Sequence, residues 1–261
     1  MDRLKNIEIS PTEIHNIIKH SFFSNGGEAV VCRTNNPNTL YKIFYKGQMY
    51  NVVPMSENKL RKLEILHSLQ LTGSVFPLRT ITCNKELIGY EMTYNPEEIR
   101  FFPGEFDRSD VISKLESIKD ILEYFARYDI TYADVASRNI LFNKHTGKMK
   151  FCDMDNVQIG QYPIDIIPLK LSPYYDVCGI DEKTDAYMHN LLTLDILNSR
   201  KQKLEKEFSR KALPIIESMK EPENFQGEYI IQYVKKRRWK NDNSTKHKFF
   251  IRRDRTNSFK K

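Results

Sequence analysis

At 261 residues, with 40% hydrophobic and 29% charged residues, the chain is long enough to bury a substantial core, in one bilobal domain or two small ones. It has no run of 18 or more apolar residues, and its first six residues lack the apolar heart of a secretory signal, so a membrane-spanning helix is excluded and a cytoplasmic protein is expected. The net charge of +7 belongs to the end of the chain: residues 235–261 hold twelve Lys/Arg and two Asp, which leaves 29 basic and 32 acidic groups on the first 234 residues.

Ser10-Pro11-Thr12-Glu13 predicts a helix start, with Ser as N-cap, Pro at the first helical position and Glu three residues after the cap. Ile14, Ile17 and Ile18 give that helix its apolar stripe. Residues 20–45 read as strands around the small-residue turn Ser24-Asn25-Gly26-Gly27, with a hairpin at Asn35-Asn36-Pro37-Asn38 and a return through Leu40–Tyr45. Residues 56–70 read as a helix whose apolar positions are Leu60, Leu63, Ile65, Leu66 and Leu69. Two strands follow near 79–83 and 87–93, making five strands and one principal helix before Asn95.

Asn95 to Gly104 reads as a linker. Val111, Leu115, Ile118, Leu122 and Phe125 then mark an amphipathic helix of about five turns. Helices are also expected near 183–197 and 200–219, with Pro214 a kink or boundary. A strand-rich front and a helical back suggest two lobes with a cleft between them. The four cysteines are scattered without a C-x-x-C pair and the six histidines without metal-ligand spacing, so reduced thiols and ordinary histidines are expected.

The chemistry concentrates in residues 132–155. Asp134-Val135-Ala136-Ser137-Arg138-Asn139-Ile140-Leu141 places an Asp and an Asn five apart, and Lys150-Phe151-Cys152-Asp153-Met154-Asp155 follows as a strand ending in Asp. Preceded by a strand, a glycine turn, a strand with Lys and a helix with Glu, this order resembles the protein kinase superfamily over roughly residues 20–195, in its divergent bacterial and phage-like form. The stretch from Asp134 to Leu141 is similar to the D-L-A-A-R-N-I-L catalytic loop of tyrosine kinases.

The resemblance implies an α+β, bilobal fold. Its N-lobe would be a small antiparallel sheet with one helix over residues 1–94, its C-lobe mainly helical over 95–220, and residues 221–261 a basic tail. It implies an ATP-dependent phosphotransferase using Mg²⁺ or Mn²⁺, with a protein Ser, Thr or Tyr hydroxyl as acceptor. By the same resemblance Asp134 orients the acceptor hydroxyl, and Asn139 and Asp153 hold the metal. Lys42 binds the phosphates, Glu64 (with Glu57 as second choice) pairs with Lys42, and Gly26 and Gly27 cover the phosphates. Ser172-Pro173-Tyr174-Tyr175 matches the end of the activation segment, and Asp185 braces the catalytic loop from behind.

Three departures from the family pattern carry information. Ala133 replaces an Arg that often pairs with a phosphorylated segment, so activity independent of such phosphorylation is expected. Ala136 stands where serine/threonine kinases place a Lys, and Arg138 is expected to supply that charge. Asp155 replaces the Gly of D-F-G, and is expected either in the metal shell or turned outward to a backbone partner. Cys152 is expected to line the nucleotide pocket.

Two other functions share these residues: a small-molecule kinase of the aminoglycoside- or choline-kinase type, and a pseudokinase that uses nucleotide only structurally. The basic tail, with Trp239, Phe249, Phe250 and Phe259, is either a solvated or self-docking extension or a site for nucleic acid or an anionic membrane surface.

Overall fold

The computed structural model describes residues 4–48, 50–198 and 208–235. The expected 235–261 tail, beyond Lys235, and the first part of the helix expected over 200–219 lie outside these residues. The fold is mixed α+β. Six strands form one sheet: β1 (Lys5–Glu8), β2 (Phe22–Asn25), β3 (Ala29–Arg33), β4 (Thr39–Phe44), β5 (Pro77–Cys83) and β6 (Glu86–Thr93), in the order β1-β5-β6-β4-β3-β2.

The sheet is mixed rather than antiparallel, because β1 runs parallel to β5 with Ile7 opposite Ile81. Sequence reasoning missed β1. The segment Lys5-Asn6-Ile7-Glu8 is short, mostly polar and mostly exposed, as suits an edge strand, and leaves almost no alternating apolar signal.

Two helices accompany this sheet. In α1 (Pro11–His20) the predicted cap is present: the Ser10 hydroxyl accepts from the Glu13 amide, and the Glu13 carboxylate accepts the Ser10 amide at 2.9 Å. Ile14 and Ile18 face the sheet core with Val30, Ile43 and Ile81. In α2 (Glu57–Leu69) Ser56 is the N-cap and the helix ends on Gln70 in the left-handed region. Its buried face carries Lys59, Lys62, Leu63 and Leu66. Two lysines therefore share a stripe with leucines, which becomes important at the site.

The remainder is mostly helical, around a second core: α3 (Arg108–Ala126), α4 (Ser172–Cys178), α5 (Thr184–Asn198) and α6 (Ala212–Ser218). Pro214 falls in the first turn of α6, where its missing N–H has no intrahelical partner to lose. The expected linker contains a strand, β7 (Glu98–Arg100), paired with β9 (Ile140–Asn143), which forms a hairpin with β10 (Met149–Phe151). The short strands β8 (Ile130–Thr131) and β11 (Gln158–Ile159) pair with each other.

The large core extends from Leu66 and Leu71 to Val234, whereas two smaller clusters lie within and beside the sheet. This division is compatible with two lobes. The segment leaving α2 joins them: Val75 donates to the Phe151 carbonyl and Phe151 donates to the Gly73 carbonyl, each at 2.8 Å. No described helix is long and apolar enough to cross a membrane.

Candidate functional site

The β9–β10 hairpin sets the spacing of the site. Asn139 immediately precedes β9 and Cys152 immediately follows β10, with Ile140 paired to Phe151. The Cys152 amide donates to the Asn139 carbonyl at 3.0 Å, which puts Asn139 beside the strand that ends in Asp153. Tyr132, buried against Phe151, donates its hydroxyl to the Cys152 carbonyl and ties the start of the same loop to the same strand. The loop and the strand are thus one rigid unit.

Within the loop, Asp134 is held on both sides. Asn139 Nδ2 donates to Asp134 Oδ2 at 2.7 Å and to its backbone carbonyl at 3.1 Å. The exposed Arg138 donates to Oδ1 at 2.8 Å and to Oδ2 at 2.7 Å. Behind the loop, the buried Asp185 at the start of α5 accepts the amides of Tyr132 at 2.9 Å and Ala133 at 2.7 Å. This is the bracing geometry expected of it. Burial pushes its carboxyl up to about 6, against those two amides.

Two residues beside these contacts, Ala133 (φ 64°) and Asp153 (φ 65°), lie in the left-handed region without being glycine. Each such residue costs about 1–2 kcal/mol and persists only where surrounding contacts over-determine it.

Lys42 on β4 reaches this unit from the sheet, across 111 residues of sequence. Its Nζ bonds Asp153 Oδ1, and Asp155 Oδ1 at 2.5 Å. Tyr90 on β6 donates to the same Asp155 oxygen at 2.6 Å. Lys59 Nζ lies 3.2 Å from Asp155 Oδ2 and 3.3 Å from Glu28 Oε1, next to the glycine turn. The contact at Oδ2 is an ion pair rather than a hydrogen bond, since the atom has the ammonium near it but no donor aligned on it.

Both charges persist. Burial opposes the Lys42 ammonium, but Asp155, Tyr90 and Asp153 outweigh it and hold its pKa well above the ordinary lysine value. Burial likewise opposes the Asp155 carboxylate, and Lys42 and Lys59 hold it well below the usual carboxylate range.

Two expectations change here. Glu64 is not brought to Lys42: it pairs with Arg61 at 2.9 Å, and the exposed Glu57 also lies near Arg61. The inward face of α2 presents Lys59 and Lys62 instead, because those positions share the buried stripe with Leu63 and Leu66. Asp155 is neither turned outward nor free for a metal shell. It is fully buried, with its oxygens facing two ammoniums and a phenol.

Gly26 and Gly27 lie in the exposed turn from β2 to β3, where Gly26 donates to the Ala29 carbonyl at 2.9 Å. Neither has positive φ, so the backbone there does not require glycine; what the pair leaves is open space above the turn. Cys152 is partly buried, and desolvation pushes its thiol up to about 12, which keeps it neutral.

The residues expected to hold a divalent cation fit one chemically. Asn139 spends its amide nitrogen on Asp134, which leaves Oδ1 as a donor atom. Asp153 spends Oδ1 on Lys42, and its side chain is 43% exposed. One amide and one carboxylate oxygen suit Mg²⁺, which takes one or two protein oxygens and completes its octahedron with water and phosphate. Among the described residues no group of three His, Cys, Asp or Glu could hold a metal by itself.

No family model matches the sequence, and no curated protein matches it.

The residues that sequence reasoning missed are Lys59, Tyr90 and Glu28. One signal for Lys59 was present. A carboxylate in place of a small turn residue next to Asp153 requires a compensating cation if it is buried, and Lys59 and Lys62 fall on the helical stripe of Leu63 and Leu66.

Beside the Arg138–Asp134 pair lies a cavity of about 360 Å³. Val135, Met188, Leu191, Leu192 and Ile196 give it apolar walls, and the ion-paired Lys170 and Asp195 also line it.

Proposed function

We propose that this protein is an ATP-dependent phosphotransferase of protein-kinase-like, bilobal arrangement that moves the γ-phosphate of ATP to a hydroxyl acceptor. One observation carries the reading. The Lys42 ammonium meets Asp153 at the end of a hairpin whose other end is Asn139, and Asn139 in turn holds Asp134. Lys42, from a distant strand, thus meets three side chains of one loop and one hairpin, and the four together have the chemistry that phosphoryl transfer needs.

Asn139 Oδ1 and Asp153 would hold Mg²⁺ or Mn²⁺, which when bound neutralises charge on the phosphates. The Lys42 ammonium has three N–H donors, of which the two aspartates take two, so one remains for a phosphate oxygen. Asp134 orients the acceptor hydroxyl and takes its proton, and Asn139 fixes the rotamer in which it does so. Arg138, largely exposed, supplies positive charge on the acceptor side in place of the lysine absent at Ala136.

The acceptor is either a protein hydroxyl or a small alcohol.

Incubation with labelled ATP and Mg²⁺ or Mn²⁺, first alone, then with a peptide library and a panel of small alcohols, tests the proposal. Asp134→Asn is expected to lower turnover by about 10²–10⁴-fold, the usual contribution of a positioned base. Equal turnover by wild type and Asp134→Asn would reject the assignment.

A further inference from the structure

We propose that Asp155 and Lys59 form a transposed ion pair that positions Lys42. The carboxylate that fixes the phosphate-binding lysine comes from the segment after β10, and α2 contributes a cation in return. This assignment rests on the phosphotransferase reading for the role of Lys42, whereas the packing holds independently of it.

The geometry is specific. Asp155 Oδ1 receives Lys42 at 2.5 Å and the Tyr90 hydroxyl at 2.6 Å, and Oδ2 lies 3.2 Å from Lys59. Side-chain exposure is 7% for Lys42, 6% for Lys59 and 0% for Asp155. A carboxylate fully buried between two ammoniums is placed to hold Lys42 rather than to face the open side of the site, so Asp155 is a positioning residue. Asp153, much more exposed, is left for the metal.

Neither glutamate of α2, Glu57 in its first turn or Glu64 in its middle, reaches Lys42, since both lie against Arg61. The two changes are complementary. A helix carboxylate replaced by Lys59 would repel Lys42 across the buried space, and Asp155 placed between them turns that repulsion into attraction for both. Lys59 also holds Glu28, so the same pair links α2 to the glycine turn.

The test uses the full chain with Asp155→Asn, Asp155→Gly, Lys59→Met, the Lys59→Met/Asp155→Asn double variant and the transposed-back variant Lys59→Glu/Asp155→Gly. Urea unfolding and affinity for a fluorescent ATP analogue, titrated over Mg²⁺, are measured for each. Asp155→Asn and Lys59→Met are each expected to unfold earlier and to lose at least about tenfold in nucleotide affinity. The Met/Asn double variant should lose less stability than the two single losses combined.

Lys59→Glu/Asp155→Gly should regain at least about fivefold in affinity over Asp155→Gly, with the Mg²⁺ requirement within about twofold of wild type. A shift of the Mg²⁺ requirement by tenfold in Asp155→Asn, with affinity restored at saturating Mg²⁺, would make Asp155 a metal ligand and overturn the proposal. So would strictly additive unfolding losses at 59 and 155. If Asp155→Asn does not fold, the comparison between Lys59→Met and Lys59→Glu/Asp155→Gly decides. Wild type that binds no nucleotide would defeat the phosphotransferase reading, while the unfolding measurements still decide the ion pair.

Discussion

Gly89→Ala puts the placement of Lys42 under direct test. Gly89 sits in β6 between β5 and β4, opposite Ile81 on one side and Ile43 on the other. A Cβ at this position would fall well inside 3.0 Å of the Lys42 carbonyl oxygen and 3.1 Å from Ile43 Cα. Carbon–oxygen contacts between strands sit at about 3.3–3.6 Å, so β4 must retreat by about 1 Å. It cannot be relieved on the other side, because β5 is already hydrogen-bonded there.

Overpacking of this kind costs about 1–3 kcal/mol, and stretching ladder hydrogen bonds about 1 kcal/mol more, which gives roughly 3 kcal/mol in all. For a chain of this size that corresponds to a fall of roughly 6–12 °C in Tm. If Lys42 positions a reacting phosphate as proposed, a shift of about 1 Å also costs on the order of 10²-fold in turnover. Calorimetry or a thermal melt by circular dichroism, followed by the phosphotransfer assay, measures both. A Tm within about 2 °C of wild type would show that the strand has room and that the steric reasoning is wrong.

Gly27→Ala is the converse case: no atom lies within 4 Å of a Cβ there and φ is not positive, so stability should hold or rise by about 0.4–1 kcal/mol. A loss of nucleotide affinity at unchanged Tm would then tie the turn to phosphate binding, and unchanged affinity would separate it from the site. Glu64→Ala should cost less than about 1 kcal/mol, since its partner Arg61 is half exposed. Its turnover should stay within about twofold of wild type, and a larger loss of turnover would restore Glu64 as the partner of Lys42.

The acid behaviour of the back half depends on two buried groups of opposite sign. Burial raises Asp185 from 3.8 to about 6, so the folded state holds a proton the unfolded chain has released, and that stabilisation is lost as pH rises through 6. Burial lowers His189 from 6.5 to about 4, with a smaller effect from nearby Lys119, although its Nε2 bonds the Leu115 carbonyl. There the unfolded chain takes the proton first, and stability is lost as pH falls from 6.5 to 4. Each contribution is about 3 kcal/mol, and over the shared range they oppose. Asp185→Asn should therefore lose about 3 kcal/mol relative to wild type between pH 6.5 and 4 in urea unfolding. Parallel pH profiles for the two proteins would contradict this.

Much of the site was legible because it is local. Asp134, Asn139 and Asp153 belong to one loop and one short hairpin, so their separation along the chain sets their separation in space almost unaided. The start of α1 was legible for the same reason: a cap is a four-residue matter. The strand Lys5–Glu8 was not, because an exposed edge strand leaves little apolar pattern and its partners in β5 are 74 residues away. The glutamate assigned to Lys42 also failed, since a helix displays carboxylates on any face and its rotation is set by packing.

By itself, then, the sequence determined how one loop and one hairpin space Asp134, Asn139 and Asp153, since this depends on bonds and turns within a few residues. Only the tertiary structure decided which charges face each other. A fully buried carboxylate such as Asp155 must find its cations wherever the packed elements bring them, here Lys42 from the sheet and Lys59 from α2. That condition of neutrality is met by the whole fold at once, and no window of sequence contains it.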